Sequence, residues 1–159
     1  MESQEVAGLL RRLEEAFGDL PKPVESELVF DNSGYHLECN QVKKMFGGRH
    51  WNSFSVQEIQ FESDALSFFS PQGFRFYLPA FIRAAVLAYE EADLIPVAIV
   101  GKLISPEDMA LASYFRERVD VLSPDQKQVV NEFLNFLRRH HAEDFGEGEL
   151  ERAERTLQG

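Results

Sequence analysis

The side chains best suited to chemistry are His36, Cys39 and His50, which lie close together in the first third of the chain. A His-x-x-Cys pair at the start of a helix supplies two of the three or four donors that a tetrahedral zinc site needs, and His50 could supply another. These residues are therefore candidate metal ligands. The second Cys or His pair of a usual structural zinc site is missing, so we expect no bound metal and no other cofactor.

The same residues suggest a second chemistry, that of a cysteine hydrolase. A reactive thiolate needs a nearby base or positive charge, which His36 or His50 could provide for Cys39. No sequence feature supplies an oxyanion hole. Cys39 also precedes Val42 and Phe46 at helical spacing, on the face expected to enter the core. A buried, inert thiol is the structural alternative.

Three further residues are candidates for contact with a partner protein. Gly47 and Gly48 form a sharp turn that presents Arg49 and Trp51, and Arg and Trp dominate binding hot spots. Arg75 lies among aromatic residues, where it could bind an anion. The structural alternatives are a Trp51 side chain in the core and an Arg75 side chain that pairs with a carboxylate or stacks on a ring.

Composition limits the class of protein. The chain has 159 residues, of which 44% are hydrophobic and 27% charged, values typical of a single soluble domain. One cysteine permits no intrachain disulfide, which fits a reducing cytoplasm. The apolar stretches are shorter than a membrane-spanning helix, and the opening residues MESQEV carry acids where a signal peptide carries bases. We therefore expect a cytoplasmic protein with no membrane partner.

The net charge of −11 narrows the class of partner. Acids outnumber bases in residues 1–30 and 90–159 and balance them in residues 31–89. Nucleic-acid binding usually needs a basic face, so we expect no DNA or RNA partner. An acidic surface could attract a basic protein, including a nuclease whose groove it would block, although acidity also simply keeps proteins soluble.

Apolar spacing and capping residues predict a mainly helical fold. Helical periodicity is found over residues 6–17, 37–46 and 124–141. Ser-Pro pairs predict helix starts, because serine caps the free amides and proline at the first helical position loses no hydrogen bond. These pairs begin at Ser70, Ser105 and Ser123.

The centre of the chain is the most apolar segment. Pro79 disfavours a helical conformation of the residue before it, so we expect a short helix from Pro71, a break, and a longer helix from Pro79 to Tyr89. Residues 94–104 are consistent with either a strand or a buried helical turn.

We therefore predict one globular domain over residues 1–145, with five to seven helices packed around residues 79–89. A minor two-stranded β element formed by residues 28–30 and 96–100 is left open. Residues 146–159 are predicted to be a charged tail that carries a short, weakly held helix.

Two blocks of sequence carry a resemblance to a known family. They read YHLECNQVKKMFGGRHW at residues 35–51 and ALSFFSPQGFRFYLPAF at residues 65–81. The blocks resemble those of an uncharacterised bacterial family of small proteins, a domain of unknown function, although Phe81 stands where that family would have tyrosine. The resemblance covers about residues 28–88. It implies that the two blocks form one structural unit, and it implies no activity or catalytic residue.

Three hypotheses about function follow. The first is a non-enzymatic protein–protein interaction or regulatory module, for example one that neutralises a toxin. The second is a small metal-dependent or cysteine hydrolase that uses His36, Cys39 and His50. The third, compatible with the first, is a homodimer, since fourteen phenylalanines in a small domain exceed what its interior readily covers.

Overall fold

The computed structural model describes residues 3–158. Within that range the chain forms nine α-helices, and four short 3₁₀ turns lie between them. The α-helices are α1 Gln4–Phe17, α2 Leu37–Phe46, α3 Val56–Phe61, α4 Pro71–Leu87, α5 Tyr89–Ala92, α6 Ile95–Gly101, α7 Met109–Asp120, α8 Pro124–His141 and α9 Glu149–Gln158. The 3₁₀ turns are Glu25–Glu27, Trp51–Ser53, Ala65–Ser67 and Ala142–Asp144.

The prediction of a mainly helical protein is confirmed, and the predicted count of five to seven helices is too low. The extra helices are the short ones, α3, α5 and α6, which have six, four and seven residues. Helices of one or two turns are too short to show a periodic pattern, and they depend on packing against longer elements.

Helix α4 lies at the centre of the fold and is buried on nearly all sides. It packs against α1, α3, α5, α6 and α7. The predicted break at Pro79 is wrong, because Pro79 lies inside a continuous helix. A proline inside a helix costs about 3 kcal/mol or more through one lost hydrogen bond and a steric clash. Here Leu78, Pro79 and Ala80 are all buried, and this burial offsets the cost.

Serine side chains begin several of the helices, as the sequence predicts. Ser70 Oγ accepts a hydrogen bond from Gly73 N, and Ser123 forms a capping box with Gln126. The predicted helix start at Ser105 is wrong. Asp108 caps α7 instead, and its Oδ1 accepts from two backbone amides, those of Ala110 and Leu111. A charged acceptor with two donors makes the stronger cap, so the helix begins three residues later.

The suggested β element between residues 28–30 and 96–100 is also wrong. Residues 95–101 are helical, with Ile95, Ile99 and Val100 buried and Val97 exposed, which is helical rather than alternating spacing. Residues 28–30 instead lie beside residues 68–70, where Val29 and Phe69 form an isolated antiparallel bridge. No β-strand is found within residues 3–158.

The tail forms helix α9, which packs against α8 and α6. Leu150, Ala153 and Leu157 form its buried face, and Glu154 pairs with Arg138 of α8. The apolar core is continuous from α1 to α9. That the helix is weakly held stays a prediction. No helix of the described residues combines the length and apolarity that crossing a membrane requires.

Candidate functional site

The histidines and the cysteine singled out in the sequence each have a local structural role. His36 is the N-cap of α2, and its Nδ1 accepts a hydrogen bond from Cys39 N at 3.2 Å. His50 caps the 3₁₀ turn Trp51–Ser53, and its Nδ1 accepts from Asn52 N at 3.1 Å. In both cases one ring nitrogen is occupied by the backbone.

The surroundings of these rings also differ. His36 packs against the rings of Phe30 and Phe68, whereas His50 packs against Trp51 and Phe76. Residues 3–158 contain no group of three or more His, Cys, Asp or Glu side chains that could hold a metal ion.

The thiol of Cys39 is completely buried in the core. Burial raises its pKa above the ordinary value, chiefly because a charged thiolate would be desolvated. A thiol in this environment is mainly protonated at neutral pH and is a poor nucleophile.

Arg49 is held by groups of its own chain. Its Nη1 donates to Glu58 Oε2 at 2.8 Å, and its guanidinium lies 3.9 Å from the centre of the Phe54 ring. The hydrogen bonds that Glu58 accepts, first from Arg49 and then from the backbone of Ser55, lower its pKa to about 2. Arg49 therefore fixes the segment after α2 onto α3.

Trp51 and Arg75, the other partner-binding candidates, also have internal partners. Trp51 is 1% exposed, and its Nε1 donates to the Phe17 carbonyl oxygen at 3.2 Å. Arg75 Nε donates to Gln126 Oε1 at 3.0 Å, which joins α4 to the start of α8. The side chain of Trp51 therefore fills the core between α1 and α4, the position that its size favours.

A concave site with a largely apolar lining lies elsewhere, between the loop at residues 28–30, the turn Ala65–Ser67 and helices α6 and α7. We call it the apolar cleft. It has a volume of about 540 Å³, in the range of small-ligand sites. The lining residues that matter below are Phe30, Phe68, Lys102, Leu111, Tyr114 and Arg118.

Aromatic side chains form one wall of the apolar cleft. The ring of Phe30 lies 6.3 Å from that of Phe68 and 6.2 Å from that of Tyr114, measured between centroids. The Tyr114 hydroxyl donates to the Phe69 carbonyl oxygen at 2.6 Å, so its polar end is satisfied within the protein. This wall therefore offers apolar surface to an occupant.

Arg118 adds a positive charge to the lining of the same cleft, although the residue is only 7% exposed. Its guanidinium lies 4.4 Å from the centre of the Phe74 ring and 5.6 Å from that of Tyr114. Nη2 donates to the Leu66 carbonyl oxygen, whereas Nε is buried and has no hydrogen-bond partner within residues 3–158. Burial lowers the pKa of Arg118 to about 10.

Lys102, at the end of α6, is a second cationic residue of the lining. Its pKa is lowered, first by burial and then by the positive charge of Arg118. Among the described residues that line the cleft there is no Asp or Glu. The apolar cleft therefore combines an aromatic wall with two cations, in a chain whose net charge is −11.

Sequence reasoning did not identify Lys102 or Arg118. A signal for Arg118 was available, because it follows Phe115 by three residues and Tyr114 by four on one helix. That spacing places a cation on the same face as two aromatic rings. Nothing in the sequence around Lys102 distinguishes it from a surface lysine.

A family model described as a family of unknown function (DUF6714) matches residues 5–155. Comparisons with curated proteins and with solved structures found no match.

Proposed function

The chain belongs to the family of unknown function DUF6714, and from its own residues we propose that it acts by binding a partner protein rather than by catalysis. In this proposal the apolar cleft receives an apolar side chain of the partner. The observation that carries the proposal is the cleft itself, a concave apolar site with an exposed apolar rim.

The rim is what favours a polypeptide as the occupant. Phe30 is 47% exposed, and Leu111 on α7 is 58% exposed. A small molecule inside the cleft would leave much of this surface in water. A segment of polypeptide that places one side chain in the cleft can cover the rim with its neighbouring residues.

The lining of the cleft favours binding over catalysis. Its polar side chains are Ser67, Tyr114, Lys102 and Arg118, and the Tyr114 hydroxyl is already bonded to the backbone. A hydrolytic site needs a nucleophile hydrogen-bonded to a base. No His, Cys, Asp or Glu of residues 3–158 lines the cleft, and the Ser67 and Lys102 side chains that do line it form no hydrogen bond with each other. None of the residues of the alternative hydrolase hypothesis, His36, Cys39 and His50, lines the cleft, although the ring of His36 packs against those of Phe30 and Phe68.

The proposal is tested with N-acetyl-L-phenylalaninamide, a neutral analogue of one apolar residue within a polypeptide. Titration followed by heteronuclear NMR should give saturable shift changes at residues of the apolar cleft. A single residue of this size is expected to bind with a Kd on the order of millimolar, because small ligands gain only about 0.3 kcal/mol or somewhat more per non-hydrogen atom.

Leu111→Asp and Val24→Asp form a matched pair for this test. Both side chains are 58% exposed, and only Leu111 lines the cleft. An aspartate at residue 111 lies in the first turn of α7, where the helix dipole favours negative charge, so the fold should be retained. Binding should weaken about tenfold in Leu111→Asp and stay unchanged in Val24→Asp. Shift changes centred outside the cleft, or equal affinity of the two variants, would contradict the proposal.

The homodimer hypothesis is tested by a separate measurement. Native mass spectrometry of the purified chain measures whether a second copy covers the rim. A dimer that dissociates in Leu111→Asp but not in Val24→Asp would assign the cleft to self-association and overturn the proposal of a different partner protein.

A further inference from the structure

Arg118 is a buried cation without a counter-ion among the residues that the structure describes. No carboxylate of residues 3–158 lies within ion-pair distance of its guanidinium, although the residue is only 7% exposed. Burial of an unpaired charge is costly, and the two aromatic rings and one carbonyl oxygen around it offset only part of that cost. A group that brings a negative charge to Arg118 would offset more of it.

Lys102 adds a second positive charge that a bound anion would neutralise. A second cation close to Arg118 adds like-charge repulsion, which shows in the effect of Arg118 on the pKa of Lys102. The carboxylate that acts on Lys102 from a distance is Asp64, which does not line the cleft. The cleft therefore holds two positive charges and no acid of its own among the described residues.

The two cations, Arg118 and Lys102, lie together in a protein that is strongly acidic as a whole. A chain with a net charge of −11 repels anions over most of its surface, so local attraction of an anion requires a dedicated group of cations. A guanidinium is well suited to a carboxylate, because its planar donors match the two carboxylate oxygens. Nε of Arg118 has no hydrogen-bond partner among residues 3–158, although the atom itself is buried.

We propose that the partner segment that enters the apolar cleft is a chain terminus, an apolar C-terminal residue whose α-carboxylate pairs with Arg118 and Lys102. This inference rests on the proposed function. A C-terminal residue carries its carboxylate and its apolar side chain on the same carbon, so both can enter one half-open cleft. An internal residue could also place its side chain in the cleft, but it would bring no carboxylate on the same carbon.

The test compares N-acetyl-L-phenylalanine, which has a free α-carboxylate, with N-acetyl-L-phenylalaninamide, which is nearly the same size and neutral. NMR titration should show that the acid binds at least tenfold more tightly than the amide. In Arg118→Met and in Lys102→Met this preference should fall to less than threefold. Lys44→Met is the matched control, since Lys44 is exposed on α2, away from the cleft, and its loss changes the net charge by the same amount.

The outcomes separate this inference from the proposed function. Equal binding of acid and amide in the cleft overturns the carboxylate site and leaves the docking proposal intact. Binding of neither probe overturns both. If Arg118→Met does not fold, Lys102→Met still decides the question, because an unchanged preference in that variant contradicts the pairing with Lys102.

A second pair of probes tests the terminal position of the charge. Acetyl-Gly-Gly-Phe with a free C-terminus is compared with acetyl-Glu-Gly-Phe-amide, which carries the same charge on an internal side chain. The first peptide should bind at least tenfold more tightly. Equal affinity would show that any nearby acid satisfies the site, and it would overturn the assignment to a chain terminus.

Discussion

The hydroxyl of Tyr77 in α4 donates to the carbonyl oxygen of Phe46, 2.6 Å away at the end of α2. The same hydroxyl lies 2.8 Å from the carbonyl oxygen of Arg49. The Phe46 ring packs within 6.0 Å of the rings of Phe69, Tyr77 and Phe81. The two blocks of sequence at residues 35–51 and 65–81 therefore pack against each other around one buried tyrosine.

Replacement of Tyr77 by phenylalanine should lower the free energy of unfolding by about 1–2 kcal/mol, because buried carbonyl oxygens lose their donor while the ring packing is kept. Chemical denaturation measures this value. Tyr35→Phe is the control, since Tyr35 is 91% exposed and its loss should change stability by less than about 0.5 kcal/mol. Equal stability of the two variants would mean that the Tyr77 hydroxyl contributes nothing.

Glu58→Gln should make stability less dependent on pH in the acid range. The pKa of Glu58 is lowered to about 2 from its ordinary value of 4.5, first by the hydrogen bond from Arg49. A carboxyl with a lowered pKa stabilises the fold above about pH 4.5, and this contribution is lost as the pH falls through about 2. The Arg49 and Glu58 side chains are 33% and 38% exposed, so solvent screening limits the contribution to about 1 kcal/mol.

The measurement for Glu58 is the difference in unfolding free energy between wild type and Glu58→Gln at pH 7, 4 and 2. The difference should shrink steadily towards pH 2. Glu25→Gln serves as the control, because its side chain is 79% exposed and lies 3.9 Å from its partner Lys43. A difference for Glu58→Gln that is the same at all three pH values would be inconsistent with the pair described here.

Trp51→Ala should destabilise the fold by about 3–5 kcal/mol, the usual range for the loss of a large buried aromatic side chain. The substitution also removes the donor to the Phe17 carbonyl oxygen, which joins the segment after α2 to the end of α1. Thermal unfolding checks the prediction against Phe61→Ala, a large-to-small change at a residue that is 77% exposed. A near-normal melting temperature for Trp51→Ala would refute the placement of Trp51 in the core.

The Cys39 thiol should resist modification in the folded protein. Its burial raises its pKa and blocks access, so Ellman's reagent at pH 8 should react fully only after denaturation. Cys39→Ser should cost about 1–3 kcal/mol, because it places a hydroxyl in an apolar site. Rapid reaction of the native thiol would contradict this placement and would strengthen the hydrolase hypothesis.

The sequence predicts the longer helices well because their apolar residues recur over several turns. Helices α1, α2 and α8 lie within a few residues of the predicted ranges. Pro79 and Ser105 misled the prediction for a shared reason. Each is a local signal that a stronger interaction overrides. For Pro79 that interaction is the burial of α4, and for Ser105 it is the cap of α7 by Asp108, which accepts from two backbone amides.

The candidate site was harder to predict than the fold. The apolar cleft brings together residues from four segments of the sequence, and only the tertiary structure shows that Phe30, Lys102 and Arg118 share one lining. The residues that attracted attention for their chemistry, His36 and His50, act as helix caps. Spacing along a helix can place a side chain on a face, but it does not tell what lies opposite that face.

Where N-acetyl-L-phenylalanine binds can be determined directly from intermolecular nuclear Overhauser effects. We expect contacts between the probe's ring and the side chains of Phe68, Leu111 and Tyr114, with the Arg118 guanidinium signals shifted on binding. Contacts to any other surface, with Arg118 unaffected, would contradict the claim that the apolar cleft is the binding site.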